Sequence, residues 1–160
     1  MPIILVVCTA NICRSPVAEA LLRQRLHQRG LTDWQVRSAG TWAQMKRGAS
    51  RYSIQVAAVR GLDLQDHVAE MIAAPQLQAA DLVLCMEAGH VESLKAEFPA
   101  YADKIYLLSE MIGRRYSVKD PYGGPLRAYE MMANELAEII DNGLDRIIDL
   151  AQAQAATRAP

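Results

Sequence analysis

Apolar positions fall into two kinds of pattern that alternate along the chain. Ile3-Ile4-Leu5-Val6-Val7 is an unbroken apolar run and reads as a parallel strand buried on both faces. Beyond Pro16 the pattern changes: Val17, Ala18, Leu21, Leu22 and Leu26 recur at helical spacing. Ser15 suits the N-cap of that helix, Pro16 its first turn and Gly30 its end. Trp34 to Ala39 reads as a second short strand, followed by a loop from Gly40 to Ser50 carrying Trp42, Lys46 and Arg47. Tyr52 to Arg60 is helical and stopped by Gly61, and Pro75 opens a short helix toward Ala80. Leu82-Val83-Leu84-Cys85-Met86 is a third buried strand, with a helix from Ala88 to Glu97 after it. Lys104 to Leu108 gives a fourth strand, Ser109 to Arg127 an irregular glycine-bearing segment, and Ala128 to about Gln152 a long helix. In that helix Met131, Met132, Leu136, Ile139, Ile140, Ile147 and Ile148 need only a packing role.

Strands alternating with helices predict an α/β fold with a parallel sheet and right-handed crossovers. No repeat, linker or second domain interrupts the pattern. One domain is expected over 1–154, with 155–160 as a frayed tail.

Composition narrows the class. The chain has 160 residues, 51% hydrophobic and 22% charged, enough for a sizeable core. A net charge of −1 argues against nucleic-acid and membrane partners. No apolar run is long enough to span a bilayer, and no signal peptide is expected before the first strand. Three cysteines without a Cys-x2-Cys pair, and three histidines, fit neither a disulfide scaffold nor a zinc site. No metal or cofactor is expected, and a reducing, cytoplasmic location is.

The chemistry concentrates in Cys8-Thr9-Ala10-Asn11-Ile12-Cys13-Arg14-Ser15-Pro16. This loop joins a strand's carboxyl end to a helix's amino end, where open α/β sheets place ligands. Its backbone N–H groups, with the helix dipole, suit an oxyanion. Arg14 adds a planar two-pronged donor that matches phosphate. Cys8 at the base shares that positive field, which favours its thiolate, and the Ser15 hydroxyl is placed to donate to the sulfur. Asn11 tolerates a left-handed backbone and suits the tight turn. Cys13, a second thiol in the same short loop, is a candidate for a reversible disulfide with an oxidised Cys8. His67 reads as a structural hydrogen-bonder, and Cys85, at a buried strand end, as core.

Asp120-Pro121-Tyr122-Gly123-Gly124 reads as a turn by itself, but a thiolate attacking phosphorus also needs an acid for the departing oxygen. Cys-x5-Arg-Ser at the amino end with Asp-Pro-Tyr near the carboxyl end resembles the low-molecular-weight protein tyrosine phosphatases. The likeness extends through Val17-Ala18-Glu19, Ser38-Ala39-Gly40-Thr41, His67-Val68-Ala69 and Asp81-Leu82-Val83-Leu84-Cys85-Met86. It implies a single-domain three-layer α/β/α fold with a four-stranded parallel sheet and a strand–phosphate loop–helix active site. It implies metal-free hydrolysis of a phosphorylated protein through a cysteinyl-phosphate, with Cys8 as nucleophile and Asp120 as acid and then base. Arg14 and the loop residues Thr9, Ala10, Asn11, Ile12, Cys13 and Ser15 would hold phosphate or another oxyanion. Trp42 and Tyr122 resemble the aromatic pair that flanks the slot, and His67 the family's structural histidine.

The chain departs from that pattern in places. Gly123 replaces a second aromatic, and Glu70 follows His67-Val68-Ala69 where arginine is common. The glycine-rich acid loop, with Tyr129 and Glu135-Leu136, is closer to the bacterial protein-arginine phosphatase branch. That branch usually has threonine where this chain has Ile12, whose branched apolar wall suits an aromatic ring over a guanidinium. Phosphotyrosine is therefore the expected substrate, with phosphoarginine as the alternative. A thioredoxin-linked arsenate reductase and a non-enzymatic phosphate-binding module are the remaining readings. The first needs a thiol relay that no cysteine near Glu92 supplies; the second would fit better if nucleophile, arginine or acid were missing.

Overall fold

A computed structural model describes residues 1–158. In chain order the elements are β1 (Ile3–Cys8), α1 (Arg14–Gln28), β2 (Gln35–Gly40), α2 (Arg51–Val59), α3 (Ala74–Ala79), β3 (Leu82–Cys85), α4 (Ala88–Glu97), β4 (Ile105–Leu107) and α5 (Leu126–Arg158). Short 3-10 turns at Pro99–Lys104 and Leu108–Ile112 flank β4. The four strands form one parallel sheet in the order β2-β1-β3-β4.

β1 lies inside this sheet, which is why its sequence does not alternate. Ile4, Val6 and Cys8 belong to one core with Leu21, Leu22 and Leu26 of α1 and Leu136, Ile140 and Ile147 of α5. Leu5 and Val7 face the other way, into a second core with Leu77 of α3 and Val91 and Leu94 of α4. Both faces are buried, and each fully buried Leu or Ile contributes about 1.5–3 kcal/mol. The α/β/α layering expected of the chain is present.

The strand order carries the functional geometry. From β1 the chain runs outward through α1 to β2, then crosses back to β3 on the other side of β1. The carboxyl ends of β1 and β3 therefore flank a switch point, the crevice where open sheets bind ligands. Val7 pairs with Cys85 and Cys8 with Gly40, so the loop after Cys8 leaves the sheet at that crevice.

Several boundaries shift by a residue or two, and three of the differences have identifiable reasons. α1 begins at Arg14 with Cys13 as its cap, so Ser15 is not the N-cap; its hydroxyl is engaged by other side chains. Lys104 belongs to a 3-10 turn rather than to β4. Its ammonium donates to the carbonyls of Ala80 and Gln78 and lies 5.0 Å over the Tyr101 ring. The last helix does not fray after residue 154. It runs to Arg158, whose guanidinium donates from Nε and Nη2 to the buried Asp81 carboxylate at 2.7 and 2.9 Å. Asp81 also accepts the Ile3 N–H, so this pair fastens the end of α5 to the start of β1. Residues 159–160 of the expected tail lie outside the described residues.

Candidate active site

Five attachments shape the loop between β1 and α1. The Cys8 and Thr9 carbonyls accept from the backbone N–H groups of Thr41 and Trp42 at 3.0 and 2.9 Å. The Asn11 carbonyl accepts from His67 Nε2 at 2.6 Å. Those of Ile12 and Cys13 accept from the Ser50 N–H at 2.8 Å and the Ser53 hydroxyl at 3.1 Å. These carbonyls are held by partners outside the loop, and none of those bonds uses the loop's own N–H groups, the donors a loop of this kind offers an anion. Asn11 has φ 59°, as the turn requires, and its side-chain oxygen accepts the Glu70 N–H at 3.0 Å. Gly40 lets the neighbouring strand come this close: a Cβ there would sit 2.4 Å from the Thr9 carbonyl oxygen.

Cys8 lies at the base of the loop with Sγ 2.9 Å from the Ser15 hydroxyl oxygen. Asn11 Nδ2 donates to that same oxygen at 2.7 Å, which leaves the serine proton free to point at the sulfur.

Arg14 is buried, with 1% of its surface exposed, a position a guanidinium takes only when its charge is met. Its Nη1 donates to the Val118 carbonyl at 2.8 Å and pairs with Glu87 Oε2 at 2.6 Å. Nη2 donates to Thr9 Oγ1 at 3.4 Å and lies 3.6 Å from Asp120 Oδ2. Nε, fully buried, has no partner among the described residues. A buried donor left unpaired costs about 1–3 kcal/mol, which an oxyanion beside the Nε–Nη2 edge would relieve.

A slot of about 230 Å³ opens above Cys8. Its walls are Thr9, Ala10, Ile12, Cys13 and Arg14, and Arg47, Asp120 and Tyr122 complete the lining. Asp120 is half exposed, and its other carboxylate oxygen accepts the Tyr122 N–H at 3.1 Å. Arg47 Nη2 donates to the Tyr122 hydroxyl at 3.3 Å, and its guanidinium carbon lies 5.7 Å over that ring.

The structure thus brings Cys8, Arg14 and Asp120 together and sets Thr9, Ala10, Ile12, Cys13 and Tyr122 around them. Asn11 and Ser15 stand behind, buried and bonded to each other. Trp42 is the expected residue that does not join the slot. Only its backbone serves the loop; the side chain is 78% exposed and no part of the lining. Cys13 meets the Ser50 hydroxyl at 3.4 Å and the Tyr129 hydroxyl at 3.7 Å, and burial pushes its thiol pKa up. Burial pushes Tyr129 up to about 12 and raises the fully buried Cys85 as well. Cys85 is sealed in the second core, away from any relay.

Arg47, Glu87 and His90 are the site residues that sequence reasoning missed. Glu87 had a signal, since it lies two residues beyond β3 at the same sheet edge as the loop, where switch-point ligands gather. Arg47 lies in a loop whose path is set by long-range contacts, such as Ala69 N–H to the Arg47 carbonyl at 2.7 Å, and nothing local announces it.

Known proteins place this arrangement. The family model for low molecular weight phosphotyrosine protein phosphatase matches residues 3–153. The protein-arginine-phosphatase of Bacillus subtilis is 35% identical, over 86% of this chain and 91% of its own length. A probable low molecular weight protein-tyrosine-phosphatase, EpsP of Ralstonia nicotianae, is 37% identical over 89% of this chain and 90% of its own length. The crystal structure of the low molecular weight protein tyrosine phosphatase from T. tengcongensis superposes with a TM-score of 0.86 at 39% identity, covering 91% of this chain and 99% of that one. A cysteine beneath an anion loop, a buried arginine and an aspartate at the slot thus occur here on a fold shared almost end to end with these proteins, and the chain belongs to the low molecular weight phosphotyrosine protein phosphatase family.

Proposed function

We propose that the chain hydrolyses phosphotyrosine in phosphorylated proteins through a phosphate ester on Cys8. The observation that carries the reading is the pairing of a hydroxyl-supported sulfur with the unpartnered Nε of a buried arginine. The Cys8 thiolate attacks phosphorus, and the bond to the tyrosyl oxygen breaks as Asp120 delivers a proton to it. Asp120, now ionised, takes a proton from the water that attacks the thiophosphate, and inorganic phosphate and the Cys8 thiolate are regenerated. The loop N–H groups and the Nε–Nη2 edge of Arg14 hold the equatorial oxygens through both steps. Glu87 and the Val118 carbonyl keep the guanidinium from swinging.

Two features support a tyrosyl over an arginyl substrate, although relatives of both kinds resemble this chain. Ile12 presents an apolar wall with nothing for a guanidinium's N–H groups to bond. Arg47 adds a cation to the slot lining, which tolerates a neutral ring but repels a second guanidinium. The opposite reading draws on the Gly123-Gly124 turn after the acid.

Turnover of p-nitrophenyl phosphate tests the mechanism. Cys8→Ser should lose at least ~10⁴ in kcat, because a serine hydroxyl is not ionised and has no base beside it. Inorganic phosphate should still bind that variant, since Arg14 and the amides remain. Substantial turnover by Cys8→Ser would end the covalent mechanism.

A further inference from the structure

Behind the loop stands a buried histidine that the mechanism above does not use. His90 is in the first turn of α4 and is 7% exposed. Its Nδ1 accepts the Glu87 backbone N–H at 3.2 Å, which fixes the tautomer: a neutral ring then carries its proton on Nε2. Nε2 lies 2.9 Å from Thr9 Oγ1 and donates to it. Burial, the largest influence on this ring, lowers its pKa, against the opposing Glu87 carboxylate 3.6 Å from Nε2.

Thr9 Oγ1 has two lone pairs. His90 Nε2 takes one, and Arg14 Nη2, at 3.4 Å, takes the other. The hydroxyl therefore has no acceptance left to offer and one proton to give. Among the described residues no protein acceptor receives that proton. Thr9 lines the slot, next to the arginine whose Nε is also unspent. We propose that the Thr9 hydroxyl is a further proton donor to the substrate's phosphoryl group, and that His90 is the positioning residue that turns it there.

This inference rests on the phosphatase reading. It adds a side-chain donor to a cradle otherwise made of backbone amides and one guanidinium. A threonine without His90 could rotate and accept from solvent or from Arg14 alone. With His90 in place, the donor direction is set before substrate arrives, which is how preorganised donors contribute.

The test measures orthovanadate inhibition together with kcat/KM on p-nitrophenyl phosphate. Thr9→Val should weaken vanadate about 10-fold and lower kcat/KM by about the same factor, and Thr9→Ser, which keeps the hydroxyl, should recover most of it. His90→Ala should cost about 10-fold in the native background and less than about 2-fold on top of Thr9→Val, because it acts only through that hydroxyl. His90→Gln retains an N–H donor near the Nε2 position and should stay close to wild type. His90→Asn reaches only the Nδ1 position and should resemble His90→Ala. Equal losses for Gln and Asn, or His90→Ala costing as much on Thr9→Val as on wild type, would overturn the proposal. A wild-type protein without turnover would refute the phosphatase reading instead, while vanadate binding would still report on Thr9 and His90.

Discussion

The Ser15 hydroxyl oxygen lies 2.9 Å from Cys8 Sγ, and the amide of Asn11 occupies the same oxygen from behind at 2.7 Å. The serine is therefore placed to donate to the sulfur, and it does not cap the helix. Ser15→Ala removes that donor and leaves the buried Asn11 amide unpaired, at about 1–3 kcal/mol. Turnover of p-nitrophenyl phosphate should fall roughly 10–100-fold. Alkylation by iodoacetate at pH 6 should slow in parallel. Fast alkylation with slow turnover would place Ser15 elsewhere in the reaction.

Asp120 sits 3.6 Å from Arg14 Nη2 at the slot. As the acid for the leaving oxygen, its importance should scale with how badly that oxygen needs a proton. Asp120→Asn should cost roughly 10²–10⁴ with phenyl phosphate and much less with p-nitrophenyl phosphate. An equal loss on both substrates would make the residue structural.

Cys13 shares the loop with Cys8, and both are free thiols here. Peroxide converts the Cys8 thiolate to a sulfenic acid. The Cys13 thiol can then displace its hydroxyl as water, giving a disulfide that dithiothreitol reduces. Wild type should recover activity after peroxide and then dithiothreitol, and Cys13→Ser should stay largely inactive. Equal recovery would leave Cys13 a packing residue only.

His90 gives stability a pH dependence with a defined sign. Burial lowers its pKa, Arg14 reinforces this, and Glu87 and Asp120 oppose it without reversing it. Below the ordinary histidine value of ~6.5 the unfolded chain binds a proton that the folded protein refuses. Stability is thus intact above that value and falls as pH drops toward the folded-state pKa. Urea unfolding from about pH 7 to pH 5 should show a shallower decline for His90→Gln than for wild type. Parallel declines would contradict the assignment.

Much of the fold was legible because burial on two faces writes itself into sequence. β1 and β3 sit between two cores, and their unbroken apolar runs say so. The anion loop was legible because Cys8, Asn11, Arg14 and Ser15 each have a short-range job within one turn of chain. The far end of α5 was not. Its length past residue 154 depends on Arg158 reaching Asp81, 77 positions away. Trp42 misled for a similar reason: the loop from Gly40 to Ser50 uses its backbone to hold Thr9, and that leaves the ring outside the slot. Arg47, Glu87 and His90 reach the site only through tertiary contacts of this kind.

Substrate choice is where the relatives divide and where Ile12 and Arg47 point one way. Initial rates on matched phosphotyrosine and phosphoarginine peptides, with Cys8→Ser as control, separate the alternatives. Wild type should favour phosphotyrosine by roughly 10–100-fold in kcat/KM, the range an unpaired polar group supplies. Ile12→Thr should narrow that gap, and Cys8→Ser should turn over neither peptide. A wild-type preference for phosphoarginine would contradict the assignment of phosphotyrosine and remove Ile12 as the selector.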